Sequence, residues 1–222
     1  MTFNLLSVID FAPDAAKGAA DRLVALLAER GPALPGVRSS AAGRTLPRAL
    51  NGGEVLWRVA FASERHCWHA YASKAFQEAI MPALSPAQGA IVDWMAYDAD
   101  HFDVGRSQGK TGLWRCLCIA VDDGTPAPQI RQFERDLLEM PGPVQSIRNW
   151  TLGAVVASGG RRRWTHVWEQ EFVDVAGLEG EYMVHPVHWG LVDGWFDPEC
   201  PQRIVDPMLI HAAMDISGAV IV

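Results

Sequence analysis

The sequence predicts an α+β fold built from two halves, each with the element order β-α-β-β-α-β. Strand-like runs of aromatic and β-branched residues alternate with runs whose apolar residues recur at helical spacing. A Trp-x-x-x-Phe motif begins at Trp57 and again at Trp168, and a tyrosine follows ten residues after each Phe, at Tyr71 and Tyr182. Matched residues at a constant offset indicate a duplicated unit that has diverged.

The first half begins and ends with a strand. The leucines and alanines of its first helix recur at helical spacing, and Gly31-Pro32 ends that helix. In order, the predicted elements are a strand over Asn4–Phe11, a helix over Ala15–Arg30, a short strand and loop within Ala33–Gly53, a strand over Glu54–Ala62, a helix through Trp68–Ile80 and a strand over Gly89–Tyr97.

The second half repeats this order. Its predicted elements are a strand over Leu113–Val121, a helix over Gln129–Glu139, strands over Ile147–Val156 and Trp164–Phe172 around a Gly-Gly-Arg turn, a helical segment over Leu178–Trp189 and a closing segment to Val205-Asp206, which corresponds to Val92-Asp93. The polar stretch Asp98–Thr111 is the predicted linker. The two repeats are therefore assigned to residues 1–105 and 106–222.

Composition limits the classes of partner. The 222 residues are 49% hydrophobic, enough for a full core, and the net charge of −7 disfavours nucleic acids and anionic membranes as partners. The N-terminus has no charged-then-apolar leader and no apolar run approaches 18 residues, so a cytoplasmic protein is expected. The four cysteines lack zinc-type spacing and are predicted to be free thiols.

Tyr182, His185 and His188 form the strongest candidate for chemistry. They are spaced three apart, so one helical turn brings them near one face. Pro186 cannot lie inside a helix without a kink, and this predicts one short helix ending near His185 and a second beginning at Pro186. Two imidazoles and a phenol at such a bend are suited to acid–base catalysis.

The pattern Tyr-x-x-His-Pro-x-His, preceded by Thr-His on a strand and followed by an aromatic segment ending in Val-Asp, resembles the stress-responsive α/β-barrel (Dabb) domain. The resemblance implies two ferredoxin-like units that pair through their sheets into a dimeric α/β barrel. With both units on one chain, it implies an intramolecular pseudo-dimer. The family is generally cofactor-free, so no cofactor and no metal are expected, and a further homodimer is left open.

Residue roles follow from the resemblance where the motif aligns. The catalytic Tyr and the second His of a plant polyketide cyclase in this family correspond to Tyr182 and His188, with His188 as the base and Tyr182 assisting. His166 matches a strand histidine that faces the same pocket. The sequence departs on the first strand, where Arg115 replaces a family histidine. A fixed positive charge there is suited to a carboxylate or phenolate substrate.

The first half lacks this motif. It has Lys74, Ala75 and Gln77 where the second half has His185, Pro186 and His188, and it has Leu5 where the second half has Arg115. One working site, in the second half, is therefore predicted.

Several of these residues have a second interpretation. His185 either contacts substrate or stabilises the turn, and Tyr182 could serve partly in packing because Tyr71 recurs in the half without the motif. Trp168 and Trp189 either line the pocket or belong to the core. A metal could be bound by His166, His185, His188 and Asp193, but that spacing fits no common zinc signature.

Two functions are consistent with these observations. The first is a cofactor-independent lyase, cyclase or isomerase that acts on an aromatic or polyketide-like small molecule by acid–base chemistry. The second is a non-catalytic, stress-related protein that binds a small ligand. A fold of this kind does not by itself determine the reaction.

Overall fold

The computed structural model describes residues 2–104 and 110–222, which form one curved antiparallel sheet with helices on its outer face. The strands are β1 (Phe3–Phe11), β2 (Val37–Arg44), β3 (Val55–Phe61), β4 (Ala90–Asp98), β5 (His101–Asp103), β6 (Leu113–Ile119), β7 (Asn149–Gly159), β8 (His166–Phe172) and β9 (Ile210–Asp215). The helices are α1 (Ala19–Arg30), α2 (Glu64–Ala72) and α3 (Ala127–Leu138). Shorter π-helical or 3-10 segments lie at Gly31–Ala33, Phe76–Ile80, Met81–Leu84, Pro86–Gln88, Gly177–Tyr182, His188–Val192 and Asp193–Trp195. The predicted repeat boundary, at residues 105 and 106, lies outside the described residues.

Both halves have the same strand order. The sheet runs β2-β3-β1-β4 through the first half and β7-β8-β6-β9 through the second. Counted within each half, both orders are 2-3-1-4, and all neighbours are antiparallel. The predicted fold class, an α+β chain with two ferredoxin-like units joined as a pseudo-dimer, is confirmed.

The strand registers relate positions of one half to positions of the other. Leu5 of β1 pairs with Val59 of β3, and Arg115 of β6 pairs with Gln170 of β8. The predicted correspondence of Leu5 with Arg115 therefore agrees with the register.

The two halves join at both edges of the sheet. β4 pairs with β7 on one side. On the other side the chain that follows β2 meets β9, where the Leu46 N–H donates to the Ala213 carbonyl at 2.9 Å and the Leu50 N–H donates to the His211 carbonyl at 2.8 Å. The sheet is therefore a nearly closed barrel, and few backbone groups are left unpaired at its edges.

A charged pair inside the barrel connects the halves. Arg58 of β3 and Glu169 of β8 are both completely buried, with 3.0 Å between Nε and Oε2. Glu169 also accepts hydrogen bonds from the Trp114 indole at 2.7 Å and from the Tyr97 hydroxyl at 2.5 Å. By register, Arg58 and Glu169 occupy equivalent positions in the two halves, so one position has opposite charges in the two copies.

Most predicted elements are observed within a few residues, with two differences. The closing strand is Ile210–Asp215, a few residues beyond Val205-Asp206. Val205 forms only an isolated bridge to Val121, and Asp206 accepts a hydrogen bond from the Met208 N–H at 2.7 Å that stabilises a turn before the strand begins. The second difference is β5, which lies in the predicted linker and pairs with β7.

The cysteines are free thiols, as their spacing predicts: Cys67, Cys116, Cys118 and Cys200. Within residues 2–104 and 110–222, no helix has both the length and the apolar character that crossing a bilayer requires.

Candidate active site

The candidate site lies on the helix-facing side of the second-half sheet. Residues directly opposite each other on antiparallel strands share a face, so the registers give rows of neighbouring side chains. One row across β7, β8, β6 and β9 consists of Trp150, Gln170, Arg115 and Ala213. The next row consists of Leu152, Trp168, Leu117 and His211.

Arg115 is the cation of this face and is only 3% exposed. Its Nη1 donates to Gln170 Oε1 at 2.6 Å, and its guanidinium carbon lies 5.2 Å from the centroid of the Tyr182 ring. Its Nε is buried without a hydrogen-bond partner among the described residues. No carboxylate in the described ranges pairs with it. A buried guanidinium without a counter-ion is costly unless an anion or further acceptors approach it.

Tyr182 and His188 lie above Arg115 on the helical segments that cover the face. The chain is helical up to Val184, is non-helical at His185 and becomes helical again at Pro186, as the proline predicts. This break places the His188 ring 5.2 Å from the Tyr182 ring in an edge-on contact. Tyr182 is 2% exposed and also contacts Phe172 edge-on at 5.8 Å.

His185 stabilises the break. Its Nδ1 accepts a hydrogen bond from the Val187 N–H at 3.2 Å, and its carbonyl accepts one from the His188 N–H at 2.9 Å. The ring and the backbone of His185 thus cap the segment that carries His188. Of the two interpretations that the sequence allowed, these contacts support the structural one.

His211 belongs to the cluster, although nothing in the sequence pattern marks it. It lies on β9, next to the row that contains Arg115. Arg115, burial and His188 together lower the pKa of His211 to about 3, with the positive charge of Arg115 as the largest cause. Burial first, and then Arg115, lowers the pKa of His188 as well, against a smaller opposing effect of Asp193. Both imidazoles are therefore neutral at neutral pH.

The face presents several polar atoms that lack partners. Among the described residues, the buried atoms without a hydrogen bond include Arg115 Nε, Gln170 Nε2, His188 Nδ1, Trp150 Nε1 and Trp168 Nε1. Four of these five belong to groups that can only donate, and the fifth is an imidazole nitrogen. Buried donors are normally satisfied, so this group indicates a place for an oxygen-bearing molecule.

A cavity of about 360 Å³ lies beside the cluster, at the β9 edge. Its walls include His211 and Ala213, the residue opposite Arg115, together with Met183, which follows Tyr182. The first half contributes the residues from Leu46 to Ala49 after β2. Arg48 of this loop pairs with Glu179 at 3.2 Å, which ties the loop to the second-half helices. Side chains of both halves therefore enclose the cavity.

Of the other predicted site residues, His166 lies apart from the cluster. His166 contacts Thr165 Oγ1 at 2.9 Å and Glu134 Oε1 at 3.2 Å. It is four residues from Gln170 along β8, about 13 Å at strand spacing. Trp168 is buried and its ring lies 5.5 Å from that of Trp150.

Trp189 is 58% exposed, and its ring touches His188 from outside at 5.4 Å. It therefore shields His188 from one side. No three His, Cys, Asp or Glu side chains in the described part of the chain are grouped closely enough to share a metal ion.

The structure corrects one correspondence between the halves. The helical break of the first half falls at Ser73, twelve residues after Phe61, whereas His185 is thirteen residues after Phe172. As a result Phe76, and not Gln77, occupies the place of His188. The Phe76 ring lies 5.0 Å from Tyr71, and Gln77 instead donates to the Tyr71 carbonyl at 2.7 Å.

Residues 113–206 match the family model described as Stress Responsive A/B Barrel Domain (Dabb), which confirms the resemblance for the second half. No curated protein matches the chain. Among solved structures, an anthrone oxidase-like protein is similar at 11% identity, with 96% of this chain and 90% of that one covered and a TM-score of 0.64.

Two further structures share the architecture. A protein from Fusobacterium nucleatum, provisionally assigned as a monooxygenase, is 9% identical over 98% of this chain and 95% of its own, with a TM-score of 0.60. A mutant chlorite dismutase from Candidatus Nitrospira defluvii is 8% identical over 96% of this chain and 91% of its own, with a TM-score of 0.53. At such identities these similarities establish the fold alone.

Proposed function

We propose that the second half is a cofactor-independent acid–base site for an aromatic or polyketide-like small molecule that has a carboxylate or phenolate group. The proposal rests on Arg115, a buried cation with no carboxylate partner in the described ranges, next to imidazoles held neutral. A negatively charged group on the ligand would supply the missing counter-ion. The indole and phenol rings around it suit an aromatic body.

His188 is the proposed base. A neutral imidazole can take a proton from a carbon next to a carbonyl group, which leaves an enolate and an imidazolium. Burial, and after it the Arg115 charge, lowers the pKa of His188 and so favours its unprotonated form before the reaction. Returning the proton to another atom of the enolate completes an isomerisation. In a cyclisation the enolate carbon attacks a second carbonyl carbon of the same molecule, and the imidazolium protonates the alkoxide that forms. In a lyase reaction the enolate expels a leaving group from the neighbouring carbon as a C=C bond forms, and the imidazolium protonates that leaving group.

Tyr182 is the proposed assisting group. Its ring contacts both the Arg115 guanidinium and the His188 ring, each at 5.2 Å. Its hydroxyl can donate a hydrogen bond to the developing enolate oxygen. His211, neutral and on the cavity wall, is a further group available to contact the substrate.

The experiment uses 3- and 4-acetylbenzoate, which combine an aromatic carboxylate with an exchangeable methyl ketone. Exchange of the methyl protons in D2O is followed by NMR, and binding is measured separately by calorimetry. The chain is expected to bind these acids and to accelerate exchange. Two variants remove the base: His188→Gln, and His188→Phe, which introduces the aromatic residue that the first half has at this place. Both should still bind the acetylbenzoates but should no longer accelerate proton exchange.

Binding without any accelerated exchange would contradict the catalytic proposal and support the alternative, a stress-related ligand-binding protein. Absence of binding in the parent chain would contradict both. Unchanged exchange in the two His188 variants would assign the base to another residue.

A further inference from the structure

The first half encloses a cavity of its own, about 470 Å³ in volume, on the equivalent face of its sheet. It is larger than the cavity beside β9. Its walls come from β1, β3 and β4 below and from α2 and the segments after it above. Five aromatic side chains are among the wall residues: Trp57, Trp68, Tyr71, Phe76 and Trp94.

The chemistry of these walls is opposite to that of the second half. Among the described residues, no acidic, basic or imidazole side chain lines the cavity. By register, Leu5 replaces Arg115 and Trp94 replaces His211. The ring of Phe76 stands where His188 stands in the other half.

The aromatic walls are held in fixed orientations. The Trp57 indole donates to Ser40 Oγ at 3.1 Å and stacks on Phe76 at 6.2 Å with 18° between the ring planes. The Trp68 indole donates to Glu64 Oε1 at 2.9 Å. Flat surfaces that are already oriented lose little conformational freedom when a ligand binds. Tyr71 is 44% exposed and also lines this cavity, so its phenol is accessible from solvent.

We propose that this cavity binds an uncharged, planar aromatic molecule, as a site separate from the one in the second half. Indole faces offer stacking surfaces for flat rings, and the volume lies in the range of small-molecule sites. The hydroxyls of Ser7 and Tyr71 can orient a hydroxyl or carbonyl group of the ligand. A carboxylate is disfavoured because the described wall residues include no cation that would offset the cost of its desolvation.

The proposal does not depend on catalysis in the second half. It implies two sites of different selectivity on one chain, one for anionic and one for neutral aromatic molecules. The single substitution of Arg115 by leucine at the equivalent position accounts for most of the difference in charge.

The test is calorimetric titration of the full chain with 2-naphthol, which is neutral at pH 7, and with 2-naphthoate, which is an anion of similar shape. Leu84→Trp adds an indole to the wall of the first-half cavity, and Ala90→Phe fills the same cavity from the strand below. Met183→Trp is the matched control, because it adds the same indole to the wall of the second-half cavity.

The parent chain is expected to bind 2-naphthol, with at least tenfold weaker binding in Leu84→Trp and in Ala90→Phe and unchanged binding in Met183→Trp. Circular dichroism identifies any variant that fails to fold, and the other then carries the test. No binding of 2-naphthol to the parent chain would overturn the proposal. So would unchanged affinity in the folded first-half variants, or a first-half variant that weakens 2-naphthoate and 2-naphthol equally. A loss of 2-naphthoate binding alone in Met183→Trp would support the proposal, because the two ligands would then occupy separate sites.

Discussion

The helix-facing surfaces of the two halves have the same strand order. Their side chains differ at the positions where the second half carries an ionisable group. The residues that correspond are Leu5 and Arg115, Val59 and Gln170, Ser40 and Trp150, Trp94 and His211, and Phe76 and His188. Trp57 and Trp168 occupy corresponding positions, but their indoles differ in pairing. The Trp57 indole donates to Ser40, whereas the Trp168 indole has no partner among the described residues. A few side chains thus make the first-half face apolar and the second-half face charged and incompletely paired.

The barrel interior shows why the halves cannot be interchangeable. Arg58 and Glu169 occupy equivalent positions, and their pairing needs one positive and one negative residue. Two identical halves would place like charges together in a completely buried site. Joining the halves on one chain keeps unlike copies together at a fixed stoichiometry.

Arg58→Met should have the largest effect on this asymmetry. It leaves Glu169 buried without its cation, and we expect the free energy of unfolding to fall by about 3–5 kcal/mol. Urea denaturation followed by tryptophan fluorescence measures the loss. The double variant Arg58→Met/Glu169→Met should recover most of it, and a double variant as unstable as Arg58→Met alone would mean that the charge pairing is not the cause.

Tyr182→Phe and Tyr71→Phe compare the same residue in the two halves. Loss of the Tyr182 hydroxyl should raise the barrier to proton exchange on acetylbenzoate by about 2–4 kcal/mol if it donates to an oxyanion. Tyr71→Phe should leave that rate within about twofold, because Tyr71 is 44% exposed and lines the other cavity. The NMR exchange rates decide, and equal losses in the two variants would mean that both halves take part in the reaction.

Arg115→Leu should make the second-half face resemble the first. Removing the charge should weaken binding of 2-naphthoate by about 10- to 100-fold, which corresponds to the loss of a charge-assisted hydrogen bond of about 1.5–3 kcal/mol. The same variant should raise the pKa of His211, because Arg115 is the largest cause of its depression. Calorimetry and NMR titration of the imidazole measure the two effects, with Leu5→Met as the control that changes neither.

The pH dependence of stability should show the smallest effect. The pKa of His211 is about 3 in the folded chain and about 6.5 when unfolded, so between these values the unfolded chain binds a proton that the folded chain does not. The contribution of His211 to the free energy of unfolding is fully present above pH 6.5 and is lost as the pH falls toward 3. At pH 5 we expect a loss of up to about 1 kcal/mol relative to pH 7 after allowance for solvent screening. Urea midpoints of His211→Gln should depend less on pH than those of the parent chain, and an equal dependence would contradict the assignment.

The secondary-structure elements and their order follow from local patterns in the sequence. Alternation of apolar residues and helical spacing depend on neighbours in the chain, and they placed β1, β3 and β8 within two residues of their observed ends. Proline acts in the same local way, so the break at Pro186 was predictable. The resemblance that rests on Tyr182 and His188 was likewise a property of a short motif.

Tertiary structure decided which side chains meet. His211 enters the site because β9 pairs beside β6, and a single sequence does not give the register of that pair. Phe76 stands in the place of His188 because the helix of the first half is interrupted one residue earlier. An alignment without gaps misses this shift and pairs His188 with Gln77. His166 lies at the other end of β8 although it shares the face of Gln170. The physical reason is that side-chain periodicity specifies a face, whereas the position along that face, and the partner found there, depend on strand pairing and on how the covering helices pack.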